Sequence, residues 1–227
     1  MSGMRLYLRT RGAGSRQSPF CGTQSGGQMI GSHPGGQEMT ARLLTLSGLR
    51  PPARILELGA GEGKTAAYLR TLGFEVRAVD LKPSGPGVEQ GDIRRLDFAG
   101  ESFDCCLAEC TVSGCGDGNA ALKEAFRVLK KNGCLLIADV FFKKKKAPSL
   151  SMREPLIWNC WKEAFEKAGF QIEKGEDETE AWKEFFLESL WNGNAEESCV
   201  DFFIEAGKAG CGYFLACLRK GEKNGFI

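Results

Sequence analysis

Residues 54–63, Arg-Ile-Leu-Glu-Leu-Gly-Ala-Gly-Glu-Gly, constrain the fold of this chain more than any other segment. An apolar run leads into three glycines at alternate positions, and the next apolar run ends at Asp80. Glycine readily adopts the positive φ values of a tight turn and lets the backbone pass close to a ligand. A carboxylate at the following strand end can accept both hydroxyls of a ribose. Three glycines alone also suit an ordinary tight turn, but with Glu57 and Asp80 the pattern predicts a cradle for a nucleoside-containing ligand.

Apolar runs and amphipathic stretches alternate along most of the chain. Short apolar runs are typical of buried strands, whereas apolar residues every three or four positions indicate helices. These patterns predict strands at 55–58, 75–80, 88–91, 103–108, 134–142, 170–173 and 212–219, and helices at 37–49, 64–72, 119–129, 156–168, 182–190 and 200–206. Asn119 is the expected N-cap of its helix, and 130–133 the expected C-terminal end. Strands that alternate with single helices predict an α/β fold with a doubly wound parallel sheet.

Acidic side chains lie at or near the predicted carboxyl ends of four strands. They are Glu57, Asp80, Glu109 and Asp139. In open α/β sheets, ligands bind beyond the carboxyl ends of the strands, at the point where strand order reverses. The sequence therefore predicts that these carboxylates meet at one edge of the sheet and form the binding site.

The N-terminal 36 residues differ in composition from the rest of the chain. They are rich in glycine, serine and arginine and show no sustained period. They also lack the apolar core of a secretion signal, although a transit peptide is an alternative. We expect residues 1–36 to form a flexible arm or lid, followed by one domain at 37–227.

Charge and cysteine content exclude several classes of protein. The formal net charge is +1, so no general attraction to nucleic acid or to a membrane surface is expected. No apolar run approaches the roughly 18 residues of a membrane span. The ten cysteines include no Cys-x-x-Cys pair, and His33 is the only histidine, so we expect no metal site. Reduced thiols are typical of a cytoplasmic protein.

Residues 37–219 resemble the class I S-adenosylmethionine-dependent methyltransferases. The resemblance is carried by the glycine segment and by Val79-Asp80-Leu81, Gly91-Asp92-Ile93, Ser102-Phe103-Asp104 and Ala125-Phe-Arg-Val-Leu-Lys-Lys-Asn-Gly133. Dinucleotide dehydrogenases are the nearest rival, but their glycines are spaced Gly-x-Gly-x-x-Gly. The resemblance implies a mostly parallel seven-stranded sheet of Rossmann-like type, with helices on both faces. Its last strand would be antiparallel and inserted beside the fifth.

The same resemblance assigns roles to individual residues, with S-adenosylmethionine as cofactor and S-adenosylhomocysteine as product. The implied cofactor-binding residues are Glu57, Gly59, Ala60, Gly61, Gly63, Asp80, Leu81, Asp92, Ile93 and Glu109. Among them, Glu57 would help hold the amino group, directly or through water, while Asp80 would bind the ribose hydroxyls and Asp92 the adenine amino group. Glu109 and Cys110 would face the transferring methyl group and are the implied catalytic residues.

Three classes of function are open at this point, and a small-molecule methyltransferase is the first. The Asn/Asp-Pro-Pro-aromatic element of many nucleic-acid and protein amino-group methylases is absent, and no basic patch with interleaved aromatics occurs. A small-molecule acceptor is therefore expected, with no nucleic-acid partner and a monomeric or homodimeric protein. The run Ala108-Glu-Cys-Thr-Val-Ser113 is similar to a segment of arsenite methyltransferases, so thiolates could instead bind a thiophilic acceptor. The second class is a cofactor-binding partner subunit without turnover, and the third is a nucleic-acid or protein methylase guided by the basic arm.

Overall fold

The computed structural model describes residues 33–143, 157–191, 204 and 206–221. The helices are α1 Gly36–Ser47, α2 Lys64–Thr71, α3 Gly118–Val128, α4 Trp158–Ala168 and α5 Thr179–Trp191. The strands are β1 Arg54–Leu58, β2 Glu75–Asp80, β3 Glu89–Gln90, β4 Phe103–Glu109, β5 Leu129–Phe142, β6 Phe170–Asp177 and β7 Cys211–Lys220. The predicted helix at 200–206 falls mostly outside the described residues.

The seven strands form one sheet in the order β3-β2-β1-β4-β5-β7-β6. The pairs from β3 to β5 are parallel, and β7 pairs antiparallel with both β5 and β6. This arrangement confirms the predicted fold, including the final antiparallel strand inserted beside the fifth. Strand order reverses between β1 and β4, so their carboxyl ends open the crevice where ligands bind in such sheets.

Helices cover both faces of the sheet. Side chains along β4 alternate between two cores, with Cys105 and Leu107 on one face and Cys106 and Ala108 on the other. The first core also receives side chains from α1, α2 and α5, and the second from α3 and α4. Burial on both faces explains why β4 carries an unbroken apolar run at 105–108.

The predicted bounds of α3 were wrong at both ends. Asp117 rather than Asn119 is the N-cap, and its carboxylate accepts a hydrogen bond of 3.0 Å from the backbone N–H of Ala120. At the other end the helix stops at Val128, because Leu129 already pairs with Phe103 in the sheet. Pairing with a neighbouring strand, which local sequence does not encode, ends this helix early.

Candidate functional site

The three glycines between β1 and α2 all have positive φ, but their surroundings differ. Gly59, Gly61 and Gly63 have φ values of 77°, 52° and 75°. A Cβ at Gly59 would lie 2.3 Å from the side chain of Thr111, and one at Gly63 would lie 2.7 Å from that of Val88. A Cβ at Gly61 would meet nothing within 4 Å. Packing therefore requires the outer glycines, while the backbone at Gly61 is open to a ligand.

Asp80 holds this turn from the end of β2. Its Oδ2 accepts a hydrogen bond of 2.9 Å from the N–H of Gly61, and its Oδ1 accepts one of 2.8 Å from the N–H of Lys82. Each carboxylate oxygen has two acceptor positions, so one remains on each for a ligand hydroxyl. Leu81, the next residue, is 40% exposed, which leaves an apolar surface beside the carboxylate.

Asp92 and Ile93 follow β3 close to Asp80. The N–H of Gly91 donates to the carbonyl of Asp80 at 2.9 Å, which joins the two segments. The Asp92 carboxylate binds the guanidinium of Arg94 at 2.7 Å, and this hydrogen bond holds the pKa of Asp92 below its usual value. Ile93 is buried. Asp92 thus lies at the same edge of the sheet as Asp80, and its carboxylate is already paired with Arg94.

Glu57 is a buried carboxylate with an unsatisfied oxygen. The residue is 6% exposed, and among the described residues nothing donates a hydrogen bond to its Oε2. Burial, followed by the charge of Glu109, raises the pKa of Glu57 to about 8. An unpaired carboxylate oxygen of this kind is costly in isolation. A cationic group of a ligand would satisfy it, and an ammonium supplies both charge and N–H donors.

Glu109, at the end of β4, is held by three elements. Its Oε1 accepts a hydrogen bond of 2.9 Å from Thr40 of α1, and its Oε2 accepts one of 3.2 Å from Thr65 of α2. Nε2 of His33 lies 3.2 Å from Oε2, and both side chains are nearly buried. Sequence reasoning missed all three of these contacts. In the sequence, His33 served only to exclude a metal site, because it is the single histidine. No spacing rule connects it with Glu109.

The structure therefore brings together the predicted carboxylates of β1, β2 and β4 around the glycine turn. Residues 56–137, which contain all of the implied cofactor-binding and catalytic residues, match a family described as "Methyltransferase domain". Residues 56–137 thus carry a methyltransferase domain, and this match supports a class I S-adenosylmethionine-dependent methyltransferase. S-adenosylmethionine is the methyl donor of this family.

Three curated relatives share this part of the chain. An uncharacterized methyltransferase, YodH of Bacillus subtilis, is 33% identical over 135 residues, which are 53% of this chain and 58% of the relative. A malonyl-[acyl-carrier protein] O-methyltransferase of Pseudescherichia vulneris is 34% identical over 121 residues, 48% of this chain and 47% of the relative. An arsenite methyltransferase of Aquipseudomonas alcaligenes is 26% identical over 157 residues, 56% of this chain and 44% of the relative. The chain thus spans about half the length of these relatives.

Solved structures share the fold at lower identity. Phosphoethanolamine N-methyltransferase 2 of Haemonchus contortus, in complex with S-adenosyl-L-methionine, has a TM-score of 0.67 at 19% identity, covering 84% of this chain and 54% of that one. The [4+2]-cyclase SpnF has a TM-score of 0.65 at 18% identity, covering 81% of each chain. These likenesses show a common fold, which by itself does not fix the reaction.

In this methyltransferase domain, Cys110 directly follows β4 and is buried. Cys110 has a φ of 53°, and its Sγ lies 3.5 Å from the hydroxyl of Tyr213. Burial raises the pKa of the Cys110 thiol well above its usual value. The thiol therefore resists ionisation, which weighs against its predicted role toward the methyl group or a thiophilic acceptor.

Asp139 of β5 supports the turn that follows Cys110. It is fully buried, and its carboxylate accepts hydrogen bonds of 3.0 Å from the N–H of Ser113 and 2.8 Å from the N–H of Val140. Burial raises the pKa of Asp139 to about 6. Asp139 thus lies near the predicted edge, but its carboxylate holds backbone rather than facing a ligand.

The described part of the chain was also compared with the requirements of a metal site and of a membrane span. Within it, no group of three or more histidine, cysteine or acidic side chains is arranged to hold a metal ion. No helix there is both long and apolar enough to cross a membrane.

Proposed function

We propose that this chain transfers the methyl group of S-adenosylmethionine to a small-molecule acceptor. The observation that carries this proposal is the buried, unsatisfied Oε2 of Glu57 beside the carboxylate of Glu109, at the rim of a glycine turn with open backbone at Gly61. When bound, the cofactor supplies an electrophilic methyl group on a positively charged sulfur. The buried carboxyl group of Glu57 suits such a cationic ligand, because an adjacent positive charge favours its ionised form.

Each predicted residue is assigned to one part of the cofactor. We assign Glu57 to the methionine ammonium, Gly61 with its neighbours Gly59, Ala60 and Gly63 to the backbone wall of the cradle, and Asp80 to the ribose hydroxyls. Leu81, with its 40% exposure, offers a surface for the adenine. Asp92 and the backbone of Ile93 lie beside the adenine amino group in this assignment, which requires Asp92 to share its carboxylate with Arg94.

The acceptor is proposed to be a small molecule. The absence of nucleic-acid and protein methylase sequence elements supports this, as does the near-neutral net charge of +1. A cytoplasmic location is supported by the eight described cysteines, all of which carry thiols rather than disulfides. A monomer or homodimer is the proposed assembly.

Calorimetry with S-adenosylhomocysteine and label transfer together test the proposal. The full chain is titrated with S-adenosylhomocysteine, and then incubated with methyl-labelled S-adenosylmethionine and a cell extract from which macromolecules have been removed. We expect saturable binding and a labelled small molecule. No binding by folded protein would reject the cofactor assignment. Binding without any labelled product would favour a cofactor-binding protein without methyl transfer.

A thiophilic acceptor is the second candidate. The arsenite methyltransferase relative and the position of Cys110 directly after β4 favour it. Burial raises the thiol pKa of Cys110 well above its usual value and that of the half-buried Cys115 to about 11, and both shifts oppose this candidate. Adding arsenite to the label-transfer assay in place of the extract separates the two candidates.

A further inference from the structure

His33 lies between the strand ends and a cavity that the assigned cofactor residues do not line. The cavity measures about 280 Å³ and lies between residues 33–36 and helix α5. His33 forms part of its wall, with Phe185 and the exposed Glu184 and Glu188 on the opposite side. Its volume is near the lower end of the range for small-molecule sites, which is about 300–1,000 Å³.

Both ring nitrogens of His33 face acceptor oxygens. Nε2 is 3.2 Å from Oε2 of Glu109, and Nδ1 is 3.3 Å from the carbonyl oxygen of Pro34. A neutral imidazole donates from one nitrogen and keeps a lone pair on the other. The carboxylate is the stronger acceptor, so it selects the form with the proton on Nε2 and the lone pair on Nδ1.

The same contacts fix the orientation of the ring. When Nδ1 is protonated, both N–H groups find acceptors already in place, and the carboxylate of Glu109 faces the resulting positive charge. Thr40 and Thr65 fix that carboxylate in turn. A base oriented by a third group that is itself held by hydrogen bonds is the arrangement of general-base catalysis.

We propose that His33 is the general base of the acceptor site, with Glu109 as its positioning residue, and that the cavity takes an uncharged acceptor that bears a hydroxyl group. The proposal rests on the methyl-transfer function above. In the step, the acceptor oxygen forms a bond to the methyl carbon while the carbon–sulfur bond breaks and its electron pair passes to sulfur. The hydroxyl proton moves to Nδ1 of His33, and the imidazolium later releases it to water.

The charges around the cavity weigh against an anionic acceptor. The titratable groups that face His33 are Glu109 of β4, with Glu57 of β1 behind it, and Glu184 and Glu188 of α5. No lysine or arginine of the described chain lines the cavity. An anionic acceptor would meet only carboxylates there, and a carboxylate acceptor is already ionised at neutral pH and needs no base.

Nitrogen NMR of His33 tests the inference without any acceptor. Because His33 is the only histidine, the full chain labelled with ¹⁵N-histidine gives one pair of ring signals. In the presence of S-adenosylhomocysteine at pH 8, we expect the proton on Nε2 and an unprotonated Nδ1. Glu109→Ala should return the ring to the mixture of forms seen for the same protein in urea, while Glu163→Gln on α4 should not. A folded wild type with that same mixture overturns the proposal.

Label transfer to the macromolecule-free extract gives the functional test. We expect His33→Asn to lower transfer at pH 7 by about 100-fold or more, the scale for loss of a general base. Its affinity for S-adenosylhomocysteine should stay within about twofold, and for a phenolic acceptor the loss should shrink as rising pH ionises the hydroxyl. His33→Gln serves as the second variant if His33→Asn does not fold.

The outcomes separate this inference from the proposed function. If the wild type binds no S-adenosylhomocysteine, or labels nothing in the extract, the proposed function fails. The ring signals of His33 then still report which of its nitrogens carries the proton. If the wild type transfers label and His33→Asn does so equally well at pH 7, only the inference fails. A labelled methyl ester would also overturn it, because a carboxylate acceptor is already ionised at pH 7 and requires no base.

Discussion

The N–H of Gly61 donates a hydrogen bond of 2.9 Å to the carboxylate of Asp80, and this contact joins the glycine turn to the end of the neighbouring strand. Gly61 is the glycine whose missing side chain leaves open space, so the same carboxylate that fixes the turn lies next to its most accessible backbone. A cradle shaped before ligand binding costs less entropy on association than one that must order.

Asp80→Ala should weaken binding of S-adenosylhomocysteine by about 1–3 kcal/mol, the scale for loss of hydrogen bonds to a charged group. The variant removes the acceptor of the ribose hydroxyls and also releases the N–H groups of Gly61 and Lys82. Calorimetry measures the change, with the exposed Asp97→Ala as matched control. Wild-type affinity in Asp80→Ala would reject the ribose assignment.

Gly61→Ala and Gly59→Ala should fail in different ways. At Gly61 the new methyl group meets open space, so the cost to stability is the positive φ of 52°, about 1–2 kcal/mol, while cofactor binding is blocked. At Gly59 the methyl group would overlap the side chain of Thr111, so the free energy of unfolding should fall further. Chemical denaturation and calorimetry on both variants distinguish the two effects. Equal losses of stability in the two variants would contradict the assignment of Gly59 to packing and of Gly61 to the ligand surface.

Cofactor binding should release a proton from Glu57 at pH 7. The pKa of Glu57 in the folded protein is about 8, so the group is mostly protonated before an ammonium binds and favours its ionised form. The measured binding enthalpy should therefore depend on the ionisation enthalpy of the buffer. Glu57→Gln should remove that dependence, and Glu163→Gln should leave it. Buffer-independent enthalpy in the wild type would contradict this role.

Glu57 should also make stability depend on pH. The folded protein keeps the proton up to about pH 8, whereas the unfolded chain loses it near 4.5, so the folded state binds more protons in between. The free energy of unfolding should therefore fall as pH rises through this window. Denaturation curves of Glu57→Gln should show a smaller slope over the same range, and an unchanged slope would be inconsistent with the raised pKa.

Asp139→Ala should lower the free energy of unfolding by about 1–3 kcal/mol, because the N–H groups of Ser113 and Val140 lose their acceptor inside the core. The folded pKa of Asp139 is about 6 against an ordinary value of 3.8, so its own contribution also declines as pH rises between those values. Urea denaturation at pH 4 and pH 7 measures both effects. Asp97→Ala, which removes an exposed carboxylate, is the control.

Cys110→Ser should retain methyl transfer to the extract acceptor, because the thiol contacts Tyr213 in the core and resists ionisation. The label-transfer assay measures this directly. If Cys110→Ser instead abolishes a labelled product that forms only with arsenite, the thiophilic acceptor becomes the better hypothesis.

The fold was predictable because each of its signals is local. The apolar runs of β1, β2 and β4 and the glycine turn lie within continuous segments, so the sequence indicated the strands, their carboxylates and the edge at which Glu57, Asp80 and Glu109 meet. The bounds of α3 were not predictable in the same way, because its end depends on the pairing of Leu129 with Phe103 across the sheet.

Sequence alone thus determined the alternation of strands with helices and the acids around the glycine turn, since hydrophobic periodicity and turn chemistry act between near neighbours. Only the tertiary structure decided what those acids contact. It set Glu109 against His33, which lies far earlier in the chain, turned Cys110 toward Tyr213, and left one oxygen of Glu57 unsatisfied. Contacts between distant segments depend on how helices pack on the sheet, and no local pattern of residues specifies them.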